Sequence, residues 1–280
     1  MSVSAVCTRI LLLASLLVPA AFAASTSTPA AKSPLAPPRN GGVYVVAHRG
    51  AHEGIPENTL PAYQRAIDLG CDFVEIDTRT TKDGKIVSMH NADLSAYTKG
   101  AMKDKVRDLT LDQIRAIDIG SRIAPEFKDV KVPTFDEILD LCKGKIGIYL
   151  DLKDADIKTL ADAIKARGME KNVIWYVTAE EAKQMQTICP ECIPMPDPGP
   201  IENLPKLLQE VKPKVVATAR EYFSADFADQ CHKAGAIVIM DEAGPNSWAP
   251  SLEWNVDGIQ TDQPAKLIDY LKARAAKAGK

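Results

Sequence analysis

In the run FVEIDTRT (residues 73–80), Glu75 and Asp77 stand two positions apart among Phe, Val, Ile and Thr. Those neighbours favour a strand, and side chains alternate along a strand, so the two carboxylates share one face. The run IGIYLDLK repeats the spacing with Asp151 and Lys153. Carboxylates crowded away from water repel each other and resist ionisation unless a counter-charge joins them. A divalent cation supplies one. The all-oxygen set Glu75, Asp77 and Asp151 suits Mg²⁺ or Ca²⁺ better than zinc. A structural ion network, in which Glu75 and Asp77 pair with Arg49 and Lys153, is the competing reading.

The chain has four histidines: His48, His52, His90 and His232. His48 and Arg49 follow the apolar run VYVVA, and His90 ends the run KIVSMH. Two imidazoles beside a metal suit phosphoryl chemistry. One takes a proton from the nucleophile while the other gives one to the leaving alkoxide. Arg49 and Lys153 would hold the phosphate and spread its developing charge. His52 opens the run HEGIP without the second histidine a zincin needs, and His232 in ADQCHKAG reads as a surface helix residue. There is no G-x-S-x-G, P-loop or dinucleotide fingerprint.

Positioning these residues falls to short apolar runs that alternate with helical segments. Strands are expected at 43–47, 73–77, 85–90, 146–152, 173–177, 192–195, 215–219, 237–241 and 257–261. Capping boxes at Thr110-x-x-Gln113, Thr134-x-x-Glu137 and Thr178-x-x-Glu181 announce helices. Alternating β and α indicates a parallel sheet. Asp83-Gly84 is a hairpin signal. As a two-residue loop it pairs Lys82 with Lys85 and Asp77 with His90. The run at 85–90 is then a returning ribbon, and eight strands remain. The expected fold is a (β/α)8 TIM barrel with a β-ribbon carrying His90. Its chemistry would gather at the carboxyl ends of the strands.

Outside the barrel, residues 1–23 read as a signal peptide: Arg9, then apolar residues from Ile10 to Val18, then Ala21-Phe22-Ala23. Residues 24–41 are rich in Ala, Ser, Thr and Pro and read as a linker, leaving 42–280 as the folded domain. An exported protein, periplasmic or secreted, is expected. The formal net charge of −3 becomes one unit more negative once Arg9 is removed. That argues against a nucleic-acid partner and against broad binding to anionic membrane. No stretch after residue 23 is apolar enough to insert stably in a bilayer. Cys189-Pro-Glu-Cys192 suits either a small disulfide or two half-buried thiols.

The runs AHRGAHEGIPENTLPAY, FVEIDTRTTKDGKIVSMH, VPTFDEIL, IYLDLK and VDGIQTDQP, in this order, resemble the glycerophosphodiester phosphodiesterases. The resemblance implies a TIM barrel that hydrolyses small phosphodiesters to an alcohol and glycerol 3-phosphate with a divalent metal. It implies catalytic roles for His48 and His90, metal ligation by Glu75, Asp77 and Asp151, and phosphate contacts from Arg49 and Lys153. Glu57 and Asn58 match the family's ENT. Asn58 or Thr59 is expected to cap a helix that starts before Pro61.

The chain departs from the family pattern at Asp151 (usually Glu), at Asn91 (usually Asp) and at Met240-Asp241 (usually Trp-Thr). The family's Arg-Thr after the second histidine is also absent. Asp241 and Glu242 would favour a cationic or polyhydroxyl alcohol over an anionic one. Two other functions fit the same residues: a phospholipase D-like enzyme acting on intact lipid, and an exported phosphodiester-binding protein without turnover.

Overall fold

The computed structural model describes residues 33–241 and 243–278. The expected signal peptide, the first half of the expected linker and Glu242 lie outside the described residues.

The chain opens with β1 (Tyr44–Ala47), α1 (Leu60–Leu69), β2 (Phe73–Thr80) and β3 (Ile86–Ser88). After α2 (Leu111–Arg115) and α3 (Phe135–Cys142) come β4 (Gly147–Leu152), α4 (Ile157–Lys165), β5 (Val173–Val177), α5 (Ala179–Ile188), β6 (Ile193–Pro196) and α6 (Leu204–Glu210). The last part holds β7 (Val215–Thr218), α7 (Ala225–Lys233), β8 (Ile237–Met240), α8 (Pro245–Glu253), β9 (Gly258–Thr261) and α9 (Pro264–Ala278). The strand order is β6-β5-β4-β2-β1-β9-β8-β7 with every neighbouring pair parallel, and β6 and β7 adjoin to close the ring. This is the eight-stranded barrel that the sequence predicts, with β3 antiparallel on β2 as the ribbon.

Strands covered on both sides read as continuous apolar runs, as they do here. Tyr44, Val46, Phe73, Tyr149, Ile174, Met195, Ala217 and Ile239 fill the interior. Their alternates, such as Val45, Val74, Ile148 and Val216, pack against the helices. Gly147 belongs to this packing, because a Cβ there would lie 2.4 Å from the Phe73 ring. All three capping boxes form.

Two expectations change. From Ser33 onward the expected linker is part of the barrel. Leu35 is buried in the interior cluster beneath Tyr44, and the Arg39 backbone N–H donates to Asp72 Oδ1 at 2.8 Å. The ribbon register also slips by one residue. Thr78 faces Ser88, Arg79 faces Val87 and Thr80 faces Ile86, and the Met89 N–H donates to Asp77 O at 3.0 Å. The cause lies in the turn. Thr81 N–H donates to Lys85 O, so three residues form the loop rather than two, with Gly84 at φ +74°. A three-residue hairpin with glycine in the left-handed region is the next commonest solution after the two-residue turn. Cys189 and Cys192 are bonded, while Cys71, Cys142 and Cys231 are buried thiols.

Candidate active site

Glu75 and Asp77 leave β2 on its interior face, and Asp151 leaves β4 directly beside Asp77 in the ladder. One oxygen from each lies within 4.8 Å of the others, and Glu75 and Asp77 are buried. Burial, then the charges of Asp77 and Asp151, push the Glu75 carboxyl well above its ordinary value. Burial also raises Asp151, against the opposing pull of Lys153. Lys153 Nζ lies 2.5 Å from Asp151 Oδ2 and 3.3 Å from Asp77 Oδ1. Even so, Asp77 Oδ1 is fully enclosed without a hydrogen-bond partner. One lysine and one arginine leave three clustered carboxylates short of charge and of donors. The oxygen set therefore fits a hard divalent cation.

The turn after β1 is strained in a way that serves this cluster. Arg49 has φ 50°, a left-handed conformation that costs a non-glycine residue on the order of 1–3 kcal/mol. It directs the Arg49 backbone N–H onto Glu75 Oε2 at 2.6 Å. Gly50 follows at φ +85°, and a Cβ there would meet Ala62 Cβ at 2.8 Å, so only glycine lets α1 approach. The Arg49 guanidinium reaches Glu57 at 3.3 Å and Asp77 at 3.8 Å, and its Nε has no hydrogen-bond partner.

Asn58 is not a helix cap. Thr59 takes the N-cap position of α1 without a side-chain cap bond. Asn58 has φ 56°, and its amide group donates to Asp77 Oδ2 at 2.7 Å. Its carbonyl oxygen accepts from the Tyr63 and Ser88 hydroxyls at 2.9 and 2.8 Å. Those two bonds set the amide so that its NH₂ faces the carboxylate.

His48 continues from β1, its backbone N–H bonded to Thr261 O. Its Nδ1 lies 2.7 Å from Asp262 Oδ1, and His52 Nε2 lies 3.0 Å from the same oxygen. The two imidazoles hold the Asp262 carboxyl well below its usual range. His90 reaches the rim by leaving the ribbon, not by continuing its ladder. The Arg79 guanidinium donates to the carbonyls of Met89 and His90, and the His90 and Asn91 backbone N–H groups donate to the Tyr97 hydroxyl. His90 Nδ1 is 2.8 Å from Asn91 Oδ1, and the ring is near enough to Asp151 to act on its carboxyl. A small apolar cluster of Val87, Met89, Leu94, Tyr97, Val106 and Ile114 supports this excursion. Arg122 stacks over the Tyr97 ring at 5.4 Å and reaches Glu57 at 4.0 Å.

The far side of the rim is acidic. The Tyr149 hydroxyl donates to Asp241 Oδ1 at 2.5 Å, and the Tyr176 hydroxyl donates to Asp197 Oδ2 at 2.9 Å.

The seven residues singled out in the sequence thus meet at one end of the barrel. The family model described as the glycerophosphoryl diester phosphodiesterase family matches residues 48–191, which hold His48, His90, the three acids and Lys153. A glycerophosphodiester phosphodiesterase of Caldanaerobacter subterraneus is 34% identical over 253 residues, covering 81% of this chain and 97% of the relative. This chain belongs to the glycerophosphoryl diester phosphodiesterase family.

Members of the family are phosphoric diester hydrolases, and this member's likeness to them extends to mammals. Human glycerophosphodiester phosphodiesterase 1 is 34% identical over 131 residues, 46% of this chain and 39% of that relative. Among solved structures, a glycerophosphodiester phosphodiesterase from Agrobacterium tumefaciens superposes with a TM-score of 0.70 at 24% identity, covering 83% of this chain and 99% of that one. A phosphodiesterase of Oleispira antarctica, solved in complex with the product sn-glycerol-3-phosphate, superposes with a TM-score of 0.68 at 22% identity over 84% and 96% of the two chains. These structures share the fold.

Within the family pattern, sequence reasoning missed Asn58, Arg79, Tyr97 and Asp262 as site-building residues. Asn58 and Asp262 lie inside the quoted motifs ENT and TDQP, but neither motif says which side chain it meets.

Proposed function

We propose that this protein hydrolyses glycerophosphodiesters to an alcohol and glycerol 3-phosphate, with a divalent cation held by Glu75, Asp77 and Asp151. The observation that carries this reading is the convergence of His48, His90, Arg49 and Lys153 around three carboxylates whose oxygens lie within 4.8 Å of one another. The named activity of the relatives supports it, as does the product bound to the Oleispira antarctica protein.

Arg49 and Lys153, which flank the three carboxylates, would bind the phosphate oxygens. When bound, the cation supplies charge neutralisation at those oxygens. His90 serves as base, taking a proton from the water that attacks phosphorus. Its Nδ1–H donates to the Asn91 amide oxygen, which leaves Nε2 as a proton acceptor. His48 serves as acid, its ring oriented through Nδ1 by the Asp262 carboxylate. It gives its proton to the departing alkoxide.

The decisive experiment assays hydrolysis of glycerophosphocholine and glycerophosphoethanolamine after exhaustive chelation, then with Mg²⁺ or Ca²⁺ restored. Loss and recovery of rate are expected, and full rate in excess chelator would refute the metal assignment. Calorimetric titration of either cation into wild type and Glu75→Gln reads the same site without turnover.

Large apolar side chains exposed on the described surface are Ile123 and Tyr222, which supports a water-soluble diester as substrate over lipid within a bilayer. No helix of the described residues is long and apolar enough to cross a membrane. We also propose export after cleavage near Ala23. The bonded Cys189–Cys192 pair supports an oxidising compartment. The mature N-terminus, read by mass spectrometry of the exported protein, tests this.

A further inference from the structure

His52 has no part in the reaction described above, yet it shares a carboxylate oxygen with His48. Arg49 and Gly50 take left-handed conformations in succession, with φ 50° and +85°, and the Ile55 N–H closes the next turn on His52 O at 2.9 Å. The chain after β1 is folded back by these turns, and the His52 ring stands edge-on to His48 with centroids 6.4 Å apart. Asp262 arrives from the neighbouring strand, because β9 runs parallel to β1 with Thr261 level with Ala47. One ligand atom each from His48, His52 and Asp262 lies within 4.8 Å of the other two, and none of the three residues belongs to the Glu75, Asp77 and Asp151 cluster.

Two ring nitrogens and one oxygen make a different donor set from three carboxylates. Zn²⁺ takes imidazole and carboxylate ligands together, whereas Mg²⁺ and Ca²⁺ prefer oxygen alone. Ligand atoms around a tetrahedral zinc are about 3.3 Å apart, given bonds of ~2.0–2.1 Å. Asp262 Oδ1 is 2.7 Å from His48 Nδ1 and 3.0 Å from His52 Nε2, so these separations need to widen only slightly. Asp262 is free to make that move, because 61% of its side chain is exposed and no Lys or Arg pairs with it among the described residues. The same exposure admits water as a fourth ligand. Each imidazole now turns an N–H toward the oxygen, since a carboxylate only accepts. A metal ion takes the place of both protons. His48 is then held through Nδ1 as a neutral ring protonated at Nε2. Losing that last proton would leave an imidazolate anion, so a metal-bound His48 cannot serve as an acid near neutral pH.

From this donor set and its geometry we infer a second metal site, an exchangeable Zn²⁺ site formed by His48, His52 and Asp262, whose occupancy withdraws the acid from the reaction. The site stands on the placement of the three side chains, and its inhibitory effect rests on the hydrolase reading above.

Calorimetric titration of Zn²⁺ into wild type, Glu75→Gln and His52→Gln, with Mg²⁺ or Ca²⁺ in excess, tests the site without turnover. Glu75→Gln, which damages the oxygen cluster, should bind zinc as tightly as wild type. His52→Gln should bind it at least about tenfold more weakly, since even a residue that only orients a ligand is worth ~10–100-fold. A retained cooperative unfolding transition in His52→Gln separates loss of a ligand from loss of folding. Equal zinc affinity in wild type and His52→Gln would overturn the inference, as would zinc binding lost in Glu75→Gln. Rates with and without zinc, each protein compared with itself, then test the effect. Saturating zinc should slow wild type on glycerophosphocholine by about 10²–10⁴-fold, the worth of a general acid, and should spare a nitrophenyl diester, whose leaving group needs little protonation. His52→Gln should need at least about tenfold more zinc for the same inhibition. Equal inhibition of both diesters would overturn the capture of the acid and place the zinc effect at the oxygen cluster. Zinc binding that depends on His52, in a protein that hydrolyses no diester, would uphold the site and overturn the hydrolase. Hydrolysis of diesters without His52-dependent zinc binding would do the reverse.

Discussion

At the scale of single residues, the site depends on side chains that hold other side chains. Asn58 is the clearest, because its amide can face Asp77 only while Tyr63 and Ser88 donate to its carbonyl oxygen. Residues that orient a ligand are typically worth ~10–100-fold in metal affinity. Calorimetry on Asn58→Ala should show Mg²⁺ or Ca²⁺ binding weakened by about that factor, with the cooperative unfolding transition retained. Unchanged affinity would make the Asn58–Asp77 bond incidental. The two histidines separate by leaving group. An aryl alcohol leaves with little protonation, so His48→Ala should recover on a nitrophenyl diester and lose ~10²–10⁴-fold on glycerophosphocholine. His90→Ala should stay impaired on both, and equal losses for both variants on both substrates would refute the division of acid and base. The acids, the two histidines, Arg49 and Lys153 were legible in the sequence because strand periodicity and motif spacing mark them. Asn58 was not, because Asn before Thr-Leu-Pro is also how a helix start is written. Asp262 was hidden by distance, lying 214 residues along the chain from the imidazole it touches.

At the scale of elements, every expected strand formed, since apolar runs and turn residues are local signals. The ribbon's register was not local, because Asp83-Gly84 is compatible with a two- or a three-residue loop. The slip carries His90 off the ladder, and the Arg79 and Tyr97 contacts replace the missing pairing. His232 also differs from its reading as a surface residue. It sits in the last turn of α7 with 22% of its side chain exposed, and its Nε2 is 2.8 Å from Asp257 Oδ2 ahead of β9. The bond to Asp257 raises the imidazole above its ordinary 6.5. A raised histidine contributes stability that is full below the unfolded value and is lost as pH rises through the folded one. The gap in Tm between wild type and His232→Gln should therefore be widest below pH 6.5 and narrow above the raised folded value. A gap that grows toward alkaline pH would show that the pair acts through something other than charge.

At the scale of the whole molecule, the barrel separates chemistry at one end from closure at the other. The carboxyl ends of the strands carry strained turns and clustered charge, whereas the amino ends carry the segment that leads into β1. Composition concealed that segment's role, because Ala, Ser and Pro around a single leucine read as linker. In the structure Leu35 is 8% exposed and seals the interior cluster below Tyr44. Around it, the Tyr44 hydroxyl donates to Ala36 O at 2.9 Å, and Arg39 donates through its side chain to Lys145 O at 2.7 Å. Truncating a buried leucine to alanine costs ~2–5 kcal/mol. A site near the end of the chain can collapse more easily than a central one, which favours the low end of that range. Leu35→Ala should accordingly lower unfolding free energy by roughly 2 kcal/mol, measured by urea denaturation. Because the candidate active site is at the opposite end, kcat on glycerophosphocholine should stay within about twofold of wild type at temperatures where the variant is folded. A chain beginning at Gly42, which lacks the plug and the Arg39 bonds, should be less stable still. If that shorter chain unfolds at the same denaturant concentration as the full one, the segment before β1 is only draped on the barrel and the fold closes without it.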